Sequence, residues 1–190
     1  RYADLMDICA AIIGKVPKFG LHLTENRKAK MLIRLKDITA QMFENEAIYP
    51  LLGYLLGEMA GDQVAAVTGI PQNVTIDSLK GFCAAAASSG AVGLFHMVGI
   101  TPEAQTLEMC LHGNKPEEVY DITPKLIGQA EDRLCTIKND AVDLVVTGCP
   151  HYSPAEFIRL AQLIKEKTIH SSVVFWVFTN RSVYAWIEAN

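Results

Sequence analysis

The sequence holds no block of five or six like charges, no apolar run of membrane-spanning length and no closely paired cysteines, and each absence removes a class of function. Its 17 basic and 21 acidic residues are interspersed along the chain and leave a net charge of -4. A surface that tracks phosphates needs clustered Lys and Arg, so no nucleic-acid partner is expected. The longest apolar runs, such as residues 172–178, fall far below the roughly 20 residues that cross a bilayer, so no membrane partner is expected either. The five cysteines, Cys9, Cys83, Cys110, Cys135 and Cys149, form no C-x-x-C pair, which excludes a local zinc finger but not a site built from distant ligands. Their odd number, in a chain large enough to need no staples, points to a reduced, cytoplasmic environment. The P-loop pattern is also missing, which argues against ATP binding.

Half of the 190 residues are apolar, enough for one sizeable core, since a domain of this length buries roughly 70% of its unfolded surface. Residue 1 is Arg rather than Met and leads at once into an Ala-rich helical segment at 6–13, without the regions of a secretion signal. The chain is therefore expected to be an internal fragment, with residues 1–190 forming one compact α/β domain or part of two adjoining ones.

Residues 28–37 alternate imperfectly, with Ala29, Met31, Ile33 and Leu35 on one side, as in a half-buried strand. A short helix is expected at 48–59, where Gly53 and Gly57 share a face that another backbone can approach closely. Residues 64–70 read as a strand ended by Gly69 and Pro71, and Thr75 or Asp77 can cap a helix through 78–87. Residues 91–99 read as a strand containing His96, and Thr101-Pro102-Glu103 as the start of another helix. A helix is expected within 123–137. The clearest unit is C-terminal: a strand at 142–147, then Ser153-Pro154-Ala155-Glu156 as N-cap, first-turn Pro and capping-box Glu, a strand at 172–179 and a helix at 182–189. This β-α-β-α order predicts an α/β fold with a parallel sheet.

The strongest site candidate is Gly148-Cys149-Pro150-His151-Tyr152-Ser153, placed between the end of a strand and a helix N-terminus, the edge at which open α/β sheets bind ligands. A cysteine there can be held as thiolate, suited to binding iron or acting as a nucleophile. His151 can bond a substrate carboxylate or transfer a proton. The competing reading makes Cys149 a buried packing residue and His151 a loop histidine, and capping alone accounts for Ser153. A second constellation runs from Lys80 to Glu103, where Ser88-Ser89-Gly90 ends one helix and the Thr101 segment opens another, offering hydroxyls and N–H groups to a carboxylate or phosphate. Within it His96 is either a hydrogen-bonded core histidine or one facing a cleft. The third is the cluster His22, Glu25, Asn26 and Arg27, able to pair with an acidic substrate or to be a solvated loop. Cys9, Cys110 and Cys135 lie in helix-like apolar contexts and are expected to pack, and Trp176 and Trp186 are expected to be core or interface aromatics.

Several long motifs occur in order: Arg1-Tyr2-Ala3-Asp4 before Asp7-Ile8-Cys9-Ala10-Ala11, Gly20-Leu21-His22 with Glu25-Asn26-Arg27, and Tyr49-Pro50-Leu51-Leu52-Gly53. They continue through Asp77-Ser78-Leu79-Lys80, the stretch 84–95 with His96, Gly99-Ile100-Thr101-Pro102-Glu103-Ala104 and Gly148-Cys149-Pro150-His151. Across essentially its whole length the chain resembles the aconitase X family. The resemblance implies an aconitase-like layered fold with parallel β-α-β units, a longer catalytic region completed by a small swivelling domain or subunit, and an iron-sulfur cluster. It implies dehydration of a small hydroxy acid, cis-3-hydroxy-L-proline or mevalonate 5-phosphate, and the Tyr2-Ala3-Asp4 and Asp7-Ile8-Cys9 segments look more like the hydroxyproline branch. Cys149 matches the family's metal-ligand cysteine, with the companion ligands expected outside this chain. His151, His96, Lys80, Ser88 and Ser89 become candidates for the catalytic shell, and His22, Asn26, Arg27 and Glu103 for substrate binding. The chain departs from the family at Gly81-Phe82, and Cys83 is given no role.

The chemistry so implied uses iron as a Lewis acid on the leaving hydroxyl while a base removes the proton beside the carboxylate. Two other classes compete with it: a non-catalytic small-molecule-binding α/β module, and a subunit-interaction fragment marked by a large exposed apolar surface.

Overall fold

The computed structural model describes residues 4–137 and 141–189. Two compact units make up the chain, residues 1–134 and residues 135–190. Along the first run α1 (Asp4–Ile13), 3-10 turns at Gly20–His22 and Thr24–Arg27, β1 (Met31–Leu35), α2 (Ile48–Ala60), β2 (Ala65–Thr68), α3 (Ile76–Ser89), β3 (Phe95–Met97), α4 (Leu107–Cys110), β4 (Glu118–Ile122) and α5 (Pro124–Leu134).

The four strands are parallel and ordered β3-β2-β1-β4, with Met31 opposite both Ala65 and Glu118. β1, β2 and β3 step in one direction and β4 returns to the far side of β1, so right-handed crossovers put α2 and α3 on one face and α4 on the other. Side chains that alternate along each strand build two cores. Met31, Ile33, Ala65, Val67 and Met97 pack with α2, α3 and α5, whereas Leu32 and Ala66 pack with Ala29, Ala104, Cys110 and Leu111. The expected half-buried strand is corrected here: β1 lies between two neighbours, Leu32 is only 8% exposed, and Ala29 joins the core opposite Met31. Covering of both faces is the rule for parallel sheets.

Gly53 and Gly57 let α2 and α3 touch backbone to backbone, as their shared face predicts. A Cβ on Gly53 would stand 2.9 Å from the Phe82 carbonyl carbon, and one on Gly57 would stand 2.7 Å from the Ala86 oxygen. The expected helix start at Thr101 is not formed. Its hydroxyl instead accepts from the Met97 N–H and lies 3.2 Å from the Met97 oxygen, closing a turn, and Thr106 caps the short α4. β4 carries no strand-like apolar alternation in its sequence, because this edge strand bears charged residues and is largely exposed. Cys110 packs in the core, but Cys9 and Cys135 are exposed and the expectation that they pack is corrected.

In the second unit β5 (Leu144–Thr147), α6 (Pro154–Ile164), β6 (Val174–Val177) and α7 (Arg181–Ala189) follow in the expected order, and β5 and β6 pair in parallel from Leu144↔Val174 to Thr147↔Val177. The capping box forms: Glu156 N–H donates to the Ser153 hydroxyl, and Ser153 N–H donates to the Glu156 carboxylate at 2.7 Å. Among the described residues no helix is long and apolar enough to cross a membrane.

Candidate functional site

In the second unit the loop after β5 begins at Gly148, buried and with φ +99, a left-handed backbone that glycine adopts without penalty. A Cβ there would stand 2.6 Å from the Phe178 nitrogen. The Cys149–Pro150 peptide is cis. Three bonds tie the loop to the end of β6: Phe178 N–H to Thr147 O at 2.8 Å, Tyr152 N–H to Phe178 O at 3.0 Å, and Thr179 hydroxyl to Tyr152 O at 2.7 Å. Tyr152 also stacks edge-on against Phe157 of α6. Cys149 and His151 thus project from an anchored loop at the carboxyl end of the strand, and both are exposed. The expected buried-packing alternative for Cys149 does not describe this placement.

The first unit brings four of the remaining candidates together on the face opposite α2 and α3. The Arg27 guanidinium grips the Glu103 carboxylate with two N–H groups, Nε donating at 2.7 Å and Nη2 making the second contact, while Nη1 donates to Leu21 O at 3.0 Å. His96 is 3% exposed and its Nε2 lies 2.7 Å from the Arg27 carbonyl oxygen, so it is the hydrogen-bonded core histidine of the two readings. Asn26 donates to Gly20 O at 2.8 Å and lines a depression of ≈ 330 Å³ with Lys28, Lys30 and Asp62. His22 belongs to the adjoining turn, its Nε2 shielded from solvent.

Lys80, Ser88 and Ser89 lie on α3, on the other face of the sheet, and do not join that group. Lys80 pairs with Asp77 one turn away at 3.1 Å, and the Ser88 hydroxyl donates back to Ala84 O. The Ser89 hydroxyl stands 2.9 Å from the oxygens of both Tyr54 and Ala85, bridging α2 and α3. Cys83 is an exposed residue that lines an apolar depression of ≈ 240 Å³ with Ala86, Val92 and Phe95, whose desolvation pushes its thiol up.

A pocket of ≈ 440 Å³ opens beyond the carboxyl ends of β1 and β2, lined by Glu44, Glu46, Tyr49, Asn73, Thr75 and Ser78. The signal that could have located it is the Thr75 cap following a strand closed by Gly69 and Pro71, since that strand edge is where ligands bind in such sheets.

The comparisons with known proteins agree on one lineage. Residues 29–132 match the family model of the aconitase X second domain, and residues 142–190 that of the aconitase X third domain. A cis-3-hydroxy-L-proline dehydratase of Pseudomonas aeruginosa is 37% identical over all of this chain and 32% of its own length. A phosphomevalonate dehydratase large subunit of Methanosarcina mazei is 32% identical over 93% of this chain and 40% of its own length. The crystal structure of Thermococcus kodakaraensis aconitase X in its holo-form superposes with a TM-score of 0.79 at 28% identity, covering 96% of this chain and 44% of that one. The chain thus spans less than half the length of the relatives it matches.

Proposed function

Because the chain belongs to the aconitase X family, we propose that the full-length protein is a hydro-lyase that dehydrates a small hydroxy-carboxylate, with cis-3-hydroxy-L-proline favoured over mevalonate 5-phosphate. The observation that carries this reading is the 37% identity, along the entire chain, to a cis-3-hydroxy-L-proline dehydratase. A small swivelling domain or subunit completes the enzyme in this reading, and the free cysteines accord with a reduced, cytoplasmic setting.

An iron-sulfur cluster belongs to the same proposal. Cluster iron is held chiefly by cysteine thiolates, and Cys149 offers an exposed sulfur on an anchored loop, which fits one ligand position. In this proposal the companion ligands come from outside this chain. When bound, such a cluster supplies a Lewis acid that eases departure of hydroxide. Dehydration breaks the C–H bond beside the carboxylate and the C–O bond on the next carbon. The proton passes to a base, the C–H electron pair becomes the new double bond, and the departing hydroxide takes up that proton, or one from solvent, to give water.

His151, two residues from Cys149, is the chain's candidate to carry a proton or orient the carboxylate. In the first unit His22, Asn26, Arg27 and Glu103 are the candidate substrate-binding group, in which the Arg27–Glu103 pair holds the turn after Leu21. His96 then acts as a positioning residue through the Arg27 backbone and Ser89 as one through the α2–α3 contact, while Lys80 and Ser88 are the α3 candidates for the carboxylate shell. The test is to reconstitute the full-length protein with its small domain without oxygen, measure iron and sulfide, and assay both substrates. Turnover of cis-3-hydroxy-L-proline with stoichiometric iron is expected. Failure to dehydrate either substrate overturns the reading, and preference for mevalonate 5-phosphate moves the assignment to the other branch.

A further inference from the structure

α1 has ten residues, fewer than the roughly 12–15 that an isolated helix needs to persist in water, so packing must hold it. The packing among the described residues is slight: in 5–13 only Met6 and Ala10 are partly buried and every other residue is exposed. Leu5, Ile8, Cys9 and Ile12 recur at the i, i+3, i+4, i+7 spacing of a core-facing stripe. Leu5 is nevertheless 74% exposed, Ile8 54% and Ile12 78%. Val16 and Phe19 carry this apolar surface along the connection to the Gly20–His22 turn, exposed in the same way. The stripe that a globular helix buries is here turned outward.

Three kinds of partner compete for such a face. Helices that lie on a membrane surface carry Lys or Arg along their polar side, and residues 4–13 contain no basic residue. A second copy of the chain would need roughly 800 Å² of buried surface per partner. A helix about 15 Å long and 10 Å wide offers only a fraction of that. A domain of the same polypeptide needs no such area, because the contact is intramolecular and loses little translational freedom.

The order of the family's domains favours this third partner. The second-domain match begins at residue 29, so α1 lies on its N-terminal side. The Pseudomonas aeruginosa relative nevertheless aligns with all 190 residues, which fill 32% of its length. Residues 1–28 therefore have a counterpart in that longer protein, outside the second domain. We infer that the stripe of Leu5, Ile8, Cys9 and Ile12 is the seat of the first domain of the same polypeptide, which covers it in the full-length protein. The seat runs on into the turn that carries His22, whose N–H donates to Phe19 O at 3.2 Å. A domain docked on α1 thus also fixes the entry to the Gly20–Arg27 segment.

The experiment uses the full-length protein with its small domain. A benzoylphenylalanine photoprobe stands in place of Ile12, and mass spectrometry identifies the linked peptide in a mixture of isotopically light and heavy copies. The expected link joins position 12 to a residue preceding Arg1 of the same copy. The same probe in place of Asp7, on the opposite side of the helix, is expected to give no such link. A probe in place of Ile13, at the stripe's edge, keeps the test decisive where the first disturbs folding. In the unsubstituted protein, maleimide should modify Cys9 at least about tenfold more slowly than in the urea-unfolded chain, because a covered thiol is inaccessible. A link to a second copy, to the small domain or to residues 1–190 overturns the assignment, as does the absence of any link from the stripe. Cys9 reactivity equal to that of the unfolded chain overturns it as well, since the face is then open.

Discussion

Gly57 of α2 faces Ser89 of α3 so closely that a Cβ at residue 57 would take the space of the Ser89 hydroxyl. The neighbours are backbone as well as side chain, with Ala86 O at 2.7 Å and Gly90 N at 2.8 Å from that Cβ position. An alanine in a helix interior ordinarily gains about 1 kcal/mol over glycine. Here the clash should reverse the sign, and Gly57→Ala is expected to destabilise by about 1–3 kcal/mol through forced separation of the helices. Denaturant unfolding checks this, and a gain in stability would show that α3 does not sit where described. Ser89→Ala should cost about 1 kcal/mol for the lost bridge and change kcat little if Ser89 is a positioning residue. A loss of kcat at unchanged stability would instead place its hydroxyl at the reacting atoms.

The Arg27–Glu103 pair joins the turn before β1 to the connection after β3, with side chains 30% and 48% exposed. Solvent screens such a pair, so its coupling in a double-mutant cycle of Arg27→Ala and Glu103→Ala should be about 0.5–1 kcal/mol despite the two-pronged geometry. Arg27→Lys removes the fork while keeping the charge, and should lose most of that coupling. If the pair binds substrate, Arg27→Lys also raises KM in the full-length enzyme. An unchanged KM would confine Arg27 to holding the turn.

Much of this architecture is legible in the sequence where local chemistry and packing agree. Ser153, Pro154 and Glu156 announce α6 because cap, first-turn proline and capping box are all local. Gly53 and Gly57 announce the α2–α3 contact because their spacing puts both on one helix face. Thr101-Pro102-Glu103 misleads because a capping hydroxyl serves a tight turn equally well, and only the tertiary position of Met97 selects the turn. Of the site, Cys149 and His151 are visible because a strand end and a cap bracket them. The grouping of His96 with Arg27 and Glu103 is not visible, since it depends on β3 being placed beside β2 rather than on any spacing along the chain. Tyr49 is hidden for the same reason: the pocket combines the connections after two strands.

Asp121 of β4 accepts from Arg34 Nε at 2.7 Å, with Lys36 Nζ at 3.9 Å. The Arg34 hydrogen bond, aided by the two positive charges, holds the Asp121 carboxyl below its ordinary value of 3.8. A carboxyl depressed in the folded state contributes stability above its unfolded pKa and loses it as pH falls through the folded value. The affected window therefore lies at and below 3.8, with no contribution to pH dependence near neutrality. Carboxyl-carbon NMR should place the Asp121 titration below that of an unperturbed aspartate, and Arg34→Gln should move it upward. A midpoint unaffected by Arg34→Gln would remove the pair as the cause.

Cys149 stands on a loop whose anchors do not involve its sulfur: Gly148 packs against the Phe178 backbone, and Tyr152 is bonded on both sides by Phe178 and Thr179. Cys149→Ala in the full-length protein should therefore leave far-UV circular dichroism and the unfolding midpoint close to those of the parent. If Cys149 is the cluster ligand proposed here, the same variant should lose iron and sulfide together with turnover. Gly148→Ala separates the loop's shape from its ligand. That backbone has φ +99, and the new methyl group would stand 2.6 Å from Phe178 N, so the loop must move although the cysteine is kept. Gly148→Ala should then reduce cluster occupancy and stability together, whereas Cys149→Ala reduces occupancy alone. Full iron content in Cys149→Ala would remove this residue from the ligand set, and full content in Gly148→Ala would show that the loop's fixed geometry is not what presents the sulfur.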